Sequence, residues 1–177
     1  MPFKRILAIS LGCAISLAAF GQNSSRYLKT LGQEDFTLYF INPVLFKKGK
    51  DRLIPDFTFQ YREAPPEQVA VKFSLFSKTP FREMGHLSFR SGGEVLGQSS
   101  GSELMFLEQK KGKWHTRFST HISYPTLLAM LNAGEALEIR FHSQDTIRSF
   151  PAGKKWRKAS ATVKEILGAE VGALENK

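Results

Sequence analysis

SYPTLLAMLNAGEALEIRFHSQDTIRSF, residues 123–150, decides the fold. Ser123 is a good N-cap and Pro125 falls near the first helical position, so the segment predicts a short helix near 124–132 with Leu127, Leu128, Met130 and Leu131 on one side. Asn132-Ala133-Gly134 stops that helix. Leu137, Ile139 and Phe141 then alternate with Glu138, Arg140 and His142, the period of a strand with one buried face. Beyond a turn at Ser143-Gln144-Asp145, Ile147 and Phe150 continue a second strand. The unit is a helix followed by a hairpin, which is structural and carries no catalytic signature.

The chain upstream repeats the strand theme. Residues 36–41 (FTLYFI) read as a strand covered on both sides and ended by Asn42-Pro43, and 47–52 as an exposed turn. Phe57, Phe59 and Tyr61 alternate with polar neighbours, as do Val69, Val71, Phe73 and Leu75, and the Ala64-Pro65-Pro66-Glu67 link makes the two an antiparallel hairpin. A shorter strand lies at 86–90, flanked by Gly/Ser stretches at 91–93 and 97–102 that read as turns or a mobile loop. Residues 104–107 pair with 114–122, where Trp114, Thr116, Phe118, Thr120 and Ile122 share one face. Trp156, Ala159, Val163, Ile166 and Leu167 form a helical stripe that places a C-terminal helix near 154–168, with a frayed tail at 170–177. Residues 22–33 read as a loose lead-in or a short helix. Six to nine short strands and two modest helices predict a mainly β class, an antiparallel β-sandwich or partly open barrel.

The N-terminus sets the expected compartment. Lys4 and Arg5 precede an uncharged apolar run of about 15 residues at 6–20, short of the roughly 20 needed to span a bilayer, and Ala19-Phe20-Gly21 suits a signal peptidase. The expectation is a cleaved signal peptide at 1–21, a single β-rich domain at 22–177, and a secreted or periplasmic location with no retained transmembrane helix. Leu11-Gly12-Cys13 partly resembles a lipobox, so a lipid anchor at Cys13 is the alternative. Cleavage after Gly21 removes the single cysteine, leaving a chain of about 156 residues that needs no disulfide, because a domain of that size buries close to 70% of its unfolded surface. The whole chain carries +9; without Lys4 and Arg5, 23 basic residues face 16 acidic ones, which favours anionic partners.

No motif names a reaction. The chain holds no GxSxG elbow, HExxH pair, Walker loop or dinucleotide fingerprint, and it implies no cofactor. His115 and His121 share a predicted strand face but stand about 20 Å apart along it, so with His142 they form a histidine site only through a cross-strand partner. Lys154, Lys155, Arg157 and Lys158 surround Trp156 and make a candidate anion-binding group; the competing reading buries the indole and leaves the cations as a solvated rim. Lys47, Lys48 and Lys50, with Lys110, Lys111 and Lys113, form a positive patch only if their two turns share one end of the fold.

The functional expectation is therefore an exported, non-enzymatic β-rich binding or interaction module for an anionic envelope component or a protein partner. Nucleic acid is disfavoured by export. Two alternatives come from other classes: a small exported hydrolase or metal-dependent enzyme using the histidines, and a structural subunit of an envelope assembly that pairs through an open strand edge.

Overall fold

The computed structural model describes residues 25–144 and 146–175, with side chains through Glu170. The signal segment expected at 1–21, Cys13 and the turn residue Asp145 lie outside the described residues. The larger of two antiparallel sheets runs in the order β1 (Leu28–Gly32), β2 (Thr37–Ile41), β4 (Asp51–Tyr61), β5 (Gln68–Ser77), β9 (Lys113–Ser123), β8 (Ser100–Lys110), with β3 (Phe46–Lys48) also paired to β4. The smaller sheet runs β11 (Thr146–Pro151), β10 (Leu137–Ser143), β6 (His86–Ser91), β7 (Glu94–Gln98). Helix α1 (Tyr124–Ala133) leads through a 3-10 turn at Gly134–Ala136 into β10, and α2 (Lys154–Glu175) ends the described chain. The class is mainly β, and the sheets do not close into a barrel.

The inner face of the larger sheet is too wide for the smaller sheet to cover alone. On the β5 and β9 side, Phe73 and Phe118 pack on Phe141 of β10 at ring separations of 6.2 and 6.0 Å. On the β2 and β4 side the helices take over: Phe59 meets Tyr124 of α1 at 5.4 Å, and Phe57 meets Trp156 of α2 at 6.3 Å. The Tyr39 hydroxyl donates to the Glu170 carboxylate, and burial first, then that carboxylate, pushes the phenol well above its ordinary pKa. One contiguous apolar cluster joins both sheets and both helices.

The organising segment behaves as read. Ser123 Oγ accepts from the Thr126 N–H at 3.2 Å, Pro125 sits in the first turn, and Gly134 takes φ +52° where the helix stops. Leu137, Ile139 and Phe141 are buried and Glu138, Arg140 and His142 are not. Leu128, however, is 37% exposed, because α1 rests on the sheets through Leu127, Met130 and Leu131. Gly97 explains how closely it rests: a Cβ there would stand 2.2 Å from Thr126 Oγ1.

Several elements differ from the sequence reading. Residues 28–32 form edge strand β1, whose Leu28 and Thr30 point inward, in place of a loose lead-in. Only Tyr39 and Ile41 of β2 are fully buried, while Leu38 and Phe40 on its outer face are only half-covered. β4 begins at Asp51, ahead of the expected start at Phe57. Pro55 lies within it without breaking a ladder, because β3 pairs with 51–53 and β2 with 57–61, leaving β4 one neighbour at Pro55. The 97–102 stretch is not a loop but the passage from β7 into β8. Helix α2 continues to Glu175, past the end expected at 168 and into the tail expected to fray.

Candidate basic cradle

Two hairpin turns meet at one end of the larger sheet. In the β8–β9 turn Lys111 and Gly112 both have positive φ, +50° and +71°, as a two-residue type I′ connection requires. In the β3–β4 turn Gly49 supplies φ +58°. Lys113 Nζ donates to the Lys50 carbonyl at 2.8 Å across 63 residues of sequence, so the turns at 47–52 and 110–113 do share one end of the fold.

Cross-strand register then sets the floor between them. Arg52 of β4 stands opposite Phe76 of β5, and Phe76 opposite His115 of β9. The His115 ring stacks on Phe76 at 4.2 Å and 17°, and Phe106 of β8 meets it edge-on at 4.8 Å. Arg52, Phe76, Lys110, Lys111 and Lys113 line an open cavity of about 280 Å³. Four cations thus surround one half-buried ring, and among the described residues no carboxylate lines the space.

Nearby carboxylates have partners of their own, Glu108 within the floor itself. Asp51 pairs with Arg148 of β11, Asp56 with Arg117 at 2.7 Å, and Glu108 with His115 Nδ1 at 3.1 Å. Arg148 also donates to Thr79 Oγ1 and lies 4.8 Å over the Phe81 ring, tying the smaller sheet to this end of the larger one. Among the described residues none of Arg52, Lys110, Lys111 and Lys113 has an ion-pair partner. Uncompensated like charges held together raise the local potential and attract a polyanion. At the far end of β4 and β5, a cavity of about 750 Å³ is lined by Asp35, Glu63 and Glu67 against Arg62 alone. The two cavities at opposite ends of β4 and β5 thus carry opposite charge, positive at the cradle.

The histidines do not converge. His115 and His121 lie on β9 of the larger sheet and His142 on β10 of the smaller one. His142 instead faces His86 across the β6–β10 pair, rings stacked at 4.1 Å and 13°, with its Nε2 hydrogen-bonded to Ser88 Oγ at 2.9 Å. Burial first, then the charges of His86, Arg140 and Arg90, lower the pKa of His142, which favours the neutral ring. A serine within reach of a neutral imidazole is one contact of a nucleophile-and-base pair, but this one lies flat within a sheet and its ring contacts another imidazole in place of an orienting acid. Among the described residues no group of three His, Cys, Asp or Glu is placed to hold a metal ion.

The terminal basic group is arranged differently. Trp156 is 1% exposed and packs on Phe46 and Phe57, so it anchors α2 in the core. Lys154, Lys155 and Lys158 face solvent, and Arg157 Nη1 donates to Glu135 at 3.0 Å. Sequence reasoning missed Arg52 and Phe76 as cradle residues. A signal existed for Phe76, which follows Val71, Phe73 and Leu75 out of phase and must therefore point away from the core face.

The protein defined by these features is a two-sheet, mainly β fold completed by two helices, with a cationic pocket at one sheet end. No family model matches the chain, and no curated protein or solved structure matches it. Among the described residues no helix is long and apolar enough to cross a membrane.

Proposed function

We propose that this protein is an exported, non-enzymatic binding module that holds an anionic partner in the cradle of Arg52, Lys110, Lys111 and Lys113. The observation that carries the reading is the convergence around the outward face of Phe76 of four cations that have no ion-pair partner among the described residues. Such a site takes a phosphate, sulfate or carboxylate group through the cations while the ring supports an apolar part of the ligand. Lys154, Lys155, Arg157 and Lys158 add attraction at longer range. Export rests on the signal-like segment at 1–21, and it is tested by N-terminal sequencing of the extracytoplasmic fraction, which should begin at Gln22.

The binding test uses dextran sulfate, and vesicles with and without anionic lipid, against the native domain and a variant with all four cradle cations changed to Gln. Native binding should fall steeply between 0.1 and 1 M salt, as the Debye length shrinks from about 10 Å to about 3 Å. The variant should bind about a hundredfold or more weakly, since each of the four cations near an anionic surface contributes on the order of 1 kcal/mol. Its melting temperature should stay native. Native-like binding by the variant would sink the reading.

A further inference from the structure

We infer that the outer edge of β8, at residues 103–110, receives an extended polypeptide with an acidic amino-terminal end that joins the larger sheet as an added antiparallel strand and sets its carboxylates against Lys110 and Lys111 at the rim of the cradle. The inference deepens the cradle reading and rests on it.

Among the described residues β8 is an eleven-residue edge strand whose only ladder partner is β9. Every residue of it except Leu107 is exposed, including Leu104 at 39%, Met105 at 45% and Phe106 at 38%. These apolar side chains serve both faces of the sheet, for Leu104 stands opposite core residue Phe118 and Phe106 opposite Arg117 of the outer face. One added strand would therefore cover apolar surface on both sides while pairing the open backbone groups.

The edge is held in place before any partner arrives. Ser99 N–H donates to the Leu87 carbonyl and Leu87 N–H to Ser99 Oγ, both at 2.8 Å, and Ser102 Oγ donates to the Met84 carbonyl at 2.9 Å. Two register shifts interrupt β8 before Phe106, the kind of irregularity that guards an edge against indiscriminate pairing. From Phe106 to Lys110 the ladder is one-to-one, so the regular part of the edge is the part that ends at Lys110 on the cradle's rim.

Charge selects the occupant. A strand laid antiparallel to β8 starts beside Lys110, Lys111 and Lys113, so its amino-terminal residues should be acidic. A second copy of this chain brings the same excess of positive charge. A polysaccharide or a lipid surface satisfies the cations but offers no regular row of amides for the open ladder.

The probe is a peptide of four Glu followed by six alternating Val and Thr, titrated against the native domain. Two further peptides carry N-methyl groups on alternate amides of the Val/Thr part, one in each frame. Only one set of N–H groups faces β8, so one methylated peptide, lacking three ladder donors, should bind about a hundredfold more weakly and the other like the parent. Amide exchange at alternate residues within 103–110 should slow when the parent binds. If both methylated peptides bind like the parent, or exchange at 103–110 does not change, strand addition is overturned. The cradle variant, measured against both peptide and dextran sulfate, separates the two ideas. Loss of both ligands upholds the cradle, whereas retention of dextran sulfate removes the reading on which the inference rests.

Discussion

Two clusters in this chain combine several cations with one aromatic ring, and the molecule uses them in opposite ways. At the start of α2, Trp156 turns inward onto Phe46 and Phe57, leaving its cations as a rim. At the sheet end, Phe76 turns outward under Arg52 and three lysines. The phase of the ring against its element's buried stripe separates them. Trp156 is in step with Ala159, Val163 and Leu167, whereas Phe76 is out of step with Phe73 and Leu75. A ring among cations is thus a surface feature only when the periodicity of its own strand or helix sends it outward.

The sharpest way to break that contrast is Trp156→Ala. Emptying a fully buried indole site should cost about 3–5 kcal/mol, seen as a lower denaturation midpoint. Trp156→Phe should recover most of the loss, because Trp156 Nε1 has no hydrogen-bond partner among the described residues and only ring volume is at stake. A Trp156→Ala protein of native stability would show that the ring does not anchor α2. Gly97→Ala comes next. The new methyl would press on Thr126 of α1, the helix that packs beside α2, and overpacking of this kind costs about 1–3 kcal/mol. Thr126→Ser removes the Cγ2 at 2.6 Å but leaves Oγ1 at 2.2 Å, so it should rescue the alanine variant only partly.

The same substitution at the other ring should read out differently. Phe76 is half-buried beneath cations, so Phe76→Ala should cost about 1 kcal/mol of stability while weakening dextran sulfate binding measured by titration. If it unfolds the domain as Trp156→Ala does, the distinction between the clusters fails.

What the sequence made legible follows from how local each cause is. Ser123, Pro125 and Gly134 act on neighbouring backbone, so the helix beginning at 124 and its hairpin were readable. The alternation in β9 needed only its own period, and Thr116, Phe118, Thr120 and Ile122 are buried as it implies. β1 was not readable, because five residues containing Lys29 and Thr30 become a strand only by pairing with β2. The span of β4 was hidden by Pro55, whose tolerance depends on the gap between β3 and β2. The cradle is the most distant case: the contact of Lys113 with Lys50 is a product of sheet order, which no local signal contains.

A third ring arrangement sharpens the rule with protons in place of fixed charges. The folded pKa of His142 lies below its ordinary value of 6.5, so its contribution to stability is present above about pH 6.5 and is lost as pH falls toward the folded value. Thermal melts from pH 8 to pH 5 should show a decline below neutrality that His142→Gln makes shallower. A variant with the native pH slope would remove His142 from its cause. The effect should be modest, since the ring is not fully buried.

The smallest expected effect is the most telling for the comparison. Lys154, Lys155 and Lys158 occupy the first turns of α2, where the helix dipole already disfavours positive charge, and they face solvent. Changing all three to Gln should therefore leave stability within a few tenths of a kcal/mol or raise it slightly. Dextran sulfate affinity should fall only as far as lost long-range attraction requires, about two- to threefold at low salt and nothing at 1 M, where screening reaches about 3 Å. The cradle variant, with four cations removed from one cavity, should lose far more at every salt concentration at which the native domain binds. Isothermal titration of both variants across a salt series measures the difference. If the helix variant loses as much affinity as the cradle variant, the partner is held by diffuse charge across the domain, and the outward ring at Phe76 has no privileged part in binding.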